Sequence, residues 1–173
     1  DVYKRQALYT DNVDRVYRYI YYRVHRVTVA EDLTADVFVQ VLEGLATYQD
    51  RSTPLLAWIY RIAHARVIDY YRKARFRENQ NSVDEIEIGV EQDMDAHLME
   101  TYNAEHIHEA IHRLGDEQKD VIILRFIEGY SLETTAEVLG KSVAAVKSLQ
   151  YRAVHALTQI LVKQGFKPDE YTM

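Results

Sequence analysis

Six glycines and two prolines are all the chain-breaking residues in 173 positions, and this scarcity constrains the fold more than any other feature. A sheet-rich architecture needs turn residues every 8 to 12 positions. This chain does not supply them. Ala, Leu, Val, Glu and Arg are abundant instead, and all of them tolerate or favour helix, so an all-α fold is expected. With 47% hydrophobic and 28% charged residues the composition is that of a folding globular chain. The length allows one mid-sized domain or two small ones.

The chain has no Cys, which excludes disulfides and thiolate zinc sites and fits a reducing cytoplasm. No apolar run approaches the roughly 18 residues that cross a bilayer, and no signal-peptide pattern opens the sequence. A cytoplasmic protein without membrane insertion is therefore expected. The chain starts at Asp1, not Met, so its native start is expected to differ.

Apolar spacing divides the chain. Residues 7–26 and 30–46 read as two helices, the second carrying Leu33, Val37, Val41, Leu42 and Leu45 at three- and four-residue intervals. Tyr48 to Pro54 holds turn and helix-start residues, and a third helix runs from Leu55 to about Arg75. On its wheel Leu55, Ile59, Ile62, Ala63 and Tyr70 share one face, with Arg61, His64, Arg72 and Arg75 opposite. Residues 78–96 are acidic, poor in aromatics and without periodicity, as in a flexible linker. Helical pattern resumes near Leu98 and reaches Leu114. Asp116 is a candidate N-cap for a helix bearing Val121, Ile122, Leu124 and Phe126, which Gly129 ends. Ser131 can cap a short helix with Leu132, Ala136 and Leu139, Gly140 supplies a left-handed stop, and Ser142 can cap a last helix to about Val162.

The net charge of -6 would repel nucleic acid if it were evenly spread, but it is segregated. Arg51 to Arg77 holds Arg51, Arg61, Arg66, Arg72, Lys73, Arg75 and Arg77 against Asp69 alone. Between Glu78 and Glu109 every charged residue other than His is acidic. From Lys141 to Lys167 the charge is again wholly positive. Two basic patches flank an acidic connector.

Ser131 to Val162 has the layout of a helix-turn-helix, whose second helix enters the major groove. In that helix Val143, Val146, Leu149, Ala153, Leu157 and Ile160 form the apolar face. Lys147, Ser148, Tyr151, Arg152 and His155 are left outside, a set of phosphate and base-edge donors. The plainer alternative is an amphipathic helix with a solvated basic side.

Leu114-Gly-Asp-Glu-Gln-Lys-Asp-Val-Ile-Ile-Leu-Arg-Phe-Ile-Glu-Gly-Tyr-Ser, followed by Leu139-Gly-Lys-Ser and Val146-Lys-Ser, resembles region 4 of extracytoplasmic-function (ECF) sigma factors of RNA polymerase. Upstream, Ala30-Glu-Asp-Leu-Thr-Ala-Asp-Val-Phe, Ala57-Trp-Ile-Tyr-Arg-Ile-Ala and Ile68-Asp-Tyr-Tyr-Arg-Lys resemble region 2. The resemblance implies a region 2 helical bundle over residues 1–77, an acidic linker over 78–104, a region 4 helix-turn-helix over 105–165 and a tail over 166–173. It implies a promoter-directing subunit that binds core RNA polymerase and promoter DNA, is held in check by an anti-sigma factor, and has no catalytic residues, cofactor or small-molecule substrate. It places Asp32, Thr34, Asp36 and Phe38 on the helix that docks on polymerase, although Phe38 also suits a core position. It makes Tyr48 to Pro54 the loop that captures an unstacked base of the minus-ten element, where Tyr48 can stack and Arg51 and Ser52 can donate; a solvated loop is the alternative. Arg61, Arg72 and Lys73 would hold phosphates. Trp58 would lie beside melted DNA, or simply in the core. Gly115, Leu55, Leu56, Ala65 and the order Leu149-Gln150 depart from the usual family residues, so promoter preference does not transfer from a typical member.

His108-Glu-Ala-Ile-His112 matches the spacing of a zinc protease helix. Only Glu128 and His155 are near enough downstream to offer a third ligand, no second domain walls a cleft, and no phosphate loop or nucleophile set accompanies it. Chance is the better account. Two other functions compete: a helix-turn-helix regulator that binds an operator without polymerase, and an adaptor that binds only protein. The regulator does not need the Ala30 to Phe38 and Ala57 to Lys73 blocks, and for the adaptor the basic faces would be incidental.

Overall fold

A computed structural model describes residues 2–48, 54–80 and 98–167, with side chains from 104 onward in the last span. Every regular element in them is helical. The chain divides into two compact units, Asp1–Met94 and Asp95–Met173.

The first unit packs α1 (Val2–Val24), α2 (Val27–Gly44) and α3 (Leu55–Gln80) against one another. Helix α1 starts five residues earlier than its apolar pattern, because its first turns stand exposed and carry no core positions. Val16, Tyr19, Ile20 and Val24 of α1 meet Ala30, Val37, Phe38 and Val41 of α2 and Ala57, Ile59, Tyr60, Ala63 and Val67 of α3. Each large apolar side chain buried this way contributes roughly 1.5–3 kcal/mol. The wheel for α3 is only partly right: Ile59 and Ala63 are buried, Leu55, Ile62 and Tyr70 only half so. Tyr60 and Val67 take the deep positions because α3 touches both α1 and α2 and needs a wider apolar stripe than one contact would. The Tyr19 and Tyr60 rings meet edge to face at 5.6 Å. The Tyr71 hydroxyl donates to the Arg23 carbonyl at 2.8 Å, locking α3 to the end of α1. His25, left-handed at φ 56°, makes the corner into α2.

The second unit comprises α4 (Leu98–His112), α5 (Asp116–Ile122), a π-helical turn (Ile123–Ile127), α6 (Leu132–Leu139) and α7 (Val143–Lys163). Asp116 is not the N-cap. Gly115 occupies that position without a side-chain bond, and Asp116 and Glu117 sit in the first turn, where their charges oppose the helix dipole. Val121, Ala136, Val146 and Leu149 form a cluster joining α5, α6 and α7, sealed by Leu132, Leu139 and Val143. Phe126 falls outside this core at 54% exposure; two residues beyond the buried Leu124, it lies on the opposite side of the π turn.

Candidate nucleic-acid interface

Three local devices set α6 against α7. The Ser131 hydroxyl accepts from the Thr134 amide at 3.0 Å, starting α6. At its end Gly140 is left-handed (φ 64°, ψ 33°), with Lys141 N donating to Ala136 O at 3.0 Å and Gly140 N to Glu137 O at 3.3 Å. This pair of bonds is the Schellman stop that glycine makes without strain. Ser142 then accepts from the Ala145 amide at 3.1 Å and starts α7. Lys141 bonds Glu117 at 2.8 Å, pinning the turn to α5. That lysine, unopposed along the sequence, is therefore partly neutralised in the fold.

On α7 Val146, Leu149 and Ala153 are buried, and Val143, Leu157 and Ile160 half-buried. Lys147, Ser148, Tyr151, Arg152 and His155 all face outward, Tyr151 at 77% exposure. The His155 ring meets the Gln159 amide at 3.1 Å. One helix face thus offers two cations, a hydroxyl, a phenol and an imidazole to whatever approaches it.

A brace that the sequence does not reveal lies behind that face. Arg125, in the π turn, donates from Nε to Gln150 Oε1 at 2.9 Å and from Nη1 to the Tyr130 carbonyl. It ties α7 to the turn that precedes α6. The departure at Leu149-Gln150 acquires a physical role here: Leu149 fills the core and Gln150 takes the arginine.

In the first unit, Tyr48 and Trp58 face each other across the α2–α3 connection, ring centroids 4.9 Å apart and tilted by 32°. Trp58 is half-buried, neither pure core nor free surface. It also presses on Gly44, where a Cβ would lie 2.9 Å from Trp58 Cζ2. Arg51 and Ser52, expected in the same loop, lie outside the described residues. Along α3, Arg61, Arg72 and Lys73 are exposed. Arg72 and Lys73 converge with Arg66 on Asp69, Lys73 at 3.2 Å and Arg66 at 3.7 Å. The hydrogen bond from Lys73, with the charges of Lys73 and Arg72, holds the Asp69 carboxyl below its ordinary range despite some desolvation. Three cations on one carboxylate leave a net positive ridge.

Residues 8–77 match the Sigma-70 region 2 family and residues 110–159 the Sigma-70, region 4 family. The chain is 31% identical to the RNA polymerase sigma factor YlaC of Bacillus subtilis over 91% of its own length and 92% of YlaC. It is 30% identical to the ECF RNA polymerase sigma factor SigX of the same organism, over 97% of this chain and 90% of SigX. The chain belongs to the ECF RNA polymerase sigma factors. It is also 36% identical to the ECF sigma factor BldN of Streptomyces coelicolor, but spans only 59% of that protein's length. Its fold is that of CnrH in complex with the cytosolic domain of CnrY (TM-score 0.70, 23% identity, 94% of this chain and 90% of CnrH). It is likewise that of RpoE of Bartonella quintana bound to the anti-sigma factor NepR (TM-score 0.67, 21% identity, 92% and 96%).

As a sigma factor of this family the chain is a regulatory subunit of transcription initiation, and a region 2 match across residues 8–77 removes the stand-alone helix-turn-helix regulator. Of the residues expected on the polymerase-docking helix, Asp32 and Asp36 are exposed on α2, Thr34 is buried, and Phe38 takes the core position that it also suited. The Thr34 hydroxyl bonds the Ala30 carbonyl at 2.6 Å, and Phe38 packs edge-on against Tyr9 at 5.0 Å. On the same helix Val39 and Leu42, the latter expected on the apolar face, are exposed at 55% and 38%; α2 is apolar on more than one side, which one bundle core cannot use. Of the protease-like pair, His108 is buried and His112 exposed, and among the described residues no group of three His, Cys, Asp or Glu could hold a metal.

Proposed function

We propose that this sigma factor works as an adaptor with two DNA-binding heads. Residues 1–77 engage core polymerase through the acidic and aliphatic side of α2 (Asp32, Asp36, Val39, Leu42) and take the minus-ten element on Tyr48, Trp58 and the basic ridge of α3. Residues 105–165 read the minus-thirty-five element through Lys147, Tyr151 and Arg152, with Ser148 and His155 beside them. The acidic stretch between tethers the two. The outward-facing polar set of α7, opposite a buried apolar face, carries this reading. The protein itself performs no chemistry; bond formation belongs to the polymerase, and the site of action is the cytoplasm. Among the described residues no helix is long and apolar enough to cross a membrane.

An anti-sigma partner is part of the proposal. RpoE is seen bound to the anti-sigma factor NepR and CnrH to the cytosolic domain of CnrY, and the exposed side chains of Val39 and Leu42 offer such a partner an apolar contact. Transcription with purified core polymerase on a genomic promoter library tests the whole reading. Specific start sites that require this protein are expected; absence of any promoter-dependent product together with absence of core binding would overturn it.

A further inference from the structure

The turn between α6 and α7 holds a cation that the outward set on α7 does not include. Lys141 follows the left-handed Gly140 and precedes the Ser142 cap of α7. Its ammonium donates to Glu117 Oε1 of α5 at 2.8 Å, with the lysine side chain 32% and the glutamate side chain 65% exposed. From Lys141 to Lys167 there is no other charge than positive, His aside, so Glu117 is an acid that folding brings to a basic segment from another helix. Two roles are open to such a pair, and magnitudes separate them. As a pin it adds little, because exposed pairs are weak and the turn is already fixed by its amide bonds into α6, by the Ser142 cap and by the cluster of Val121, Val146 and Leu149. As a charge it matters more. In the proposed seating of α7 its N-terminal residues meet base edges, which puts the turn before it at the DNA backbone. A phosphate on Lys141 would then have the Glu117 carboxylate within a Debye length, about 8 Å at physiological salt, where repulsion is not screened out.

We infer that Lys141 is a phosphate contact held in reserve, with Glu117 as its counter-ion in the free protein and a DNA phosphate in that place in the complex. This rests on the proposed DNA contact of α7 and adds to it a residue pair that limits affinity. A backbone contact carries no sequence information. The exchange therefore weakens binding to every duplex alike and leaves a larger share of the remaining affinity to base contacts.

Fluorescence anisotropy of the full chain with a short labelled duplex of mixed sequence tests it, since a phosphate contact needs no promoter. Glu117→Gln keeps the side chain's size and helix propensity and removes its charge. It is expected to tighten binding about fivefold and to steepen the slope of log affinity against log salt by about 1. Lys141→Ala alone should weaken binding less than about twofold, because the lysine is already neutralised. In the Glu117→Gln background the same change should abolish the gain, a coupling that two independent residues would not show. A pin predicts the opposite: breaking it lowers the melting temperature and does not tighten binding. Unchanged or weaker binding by Glu117→Gln overturns the inference. So does an equal gain with Lys141 already replaced by Ala, which would reflect lost negative charge in general and not release of the lysine. Arg152→Ala, run in parallel, keeps the two readings apart. If it weakens binding while Glu117→Gln changes nothing, the α7 contact stands and only the exchange falls; if the wild type binds no duplex at any salt, both fall.

Discussion

Gly44 and Asp69 show how single residues hold the α2–α3 connection and the basic ridge of α3 in the first unit. At Gly44 an alanine would gain up to about 1 kcal/mol of helix propensity, but its methyl would start 2.9 Å from a rigid indole edge, and overpacking of this kind costs typically 1–3 kcal/mol. The clash wins. Gly44→Ala is expected to lower the melting temperature and to push Trp58 off Tyr48. Since Trp58 is the only tryptophan in the chain, its emission reports the displacement directly; an unchanged spectrum and melting point would show that the contact is not tight. Asp69 supports the cations differently. Its carboxyl titrates below the ordinary value near ~3.9, and Lys73 is the leading cause. The ion pairs therefore add their support above the unfolded-state value and lose it as pH falls through the lower folded-state one. Their partners are exposed, so the contribution to stability is small. Lys73→Ala should raise the Asp69 value in a carbon-detected NMR titration more than Arg66→Ala does.

At the scale of elements, regular helices were legible and their exceptions were not. Ser131, Gly140 and Ser142 each do in the structure what their residue types suggested, because caps are local and depend on three or four neighbours. The outward set on α7 was legible for the same reason: subtract Val146, Leu149 and Ala153 and the exposed polar face remains. The burial of Thr34 was not, since a resemblance assigns a helix to a partner without saying which of its sides is free, whereas the core position of Phe38 was among the readings its residue type allowed. The π turn had no visible signal either. It matters because Arg125, which reaches Gln150 25 positions away, sits in it. The brace ties α7 to the turn before α6 without touching the outward polar set of α7. Removing it should blur base discrimination while leaving phosphate contacts in number as they were. Arg125→Ala and Gln150→Ala are each expected to narrow the gap between specific and nonspecific duplex affinity. The double variant should do little more than either alone, because both break one bond. Fully additive losses would mean that the two residues act separately.

For the molecule as a whole, charge placement outweighs charge total. A protein with a net charge of -6 should avoid DNA by long-range repulsion, yet at physiological salt the Debye length is about 8 Å, so charges beyond that range are largely screened. In the proposed complex a phosphate in contact with Lys147 or Arg152 would feel those cations first. The net negative charge acts more strongly at low salt, where the Debye length grows, and it disfavours loose binding more than seated binding, since only the seated complex brings the cations into contact with phosphates. This makes a measurable distinction between Arg152 and the uncharged members of its face. Arg152→Ala is expected to weaken binding to a duplex carrying the upstream element and to reduce the slope of log affinity against log salt by about 1. Tyr151→Phe, which keeps the ring and removes only a donor, should change affinity for some sequences and leave the slope intact. Equal slopes for wild type and Arg152→Ala across several salt concentrations would remove Arg152 from the phosphate contacts and move the basic side of α7 back to solvent.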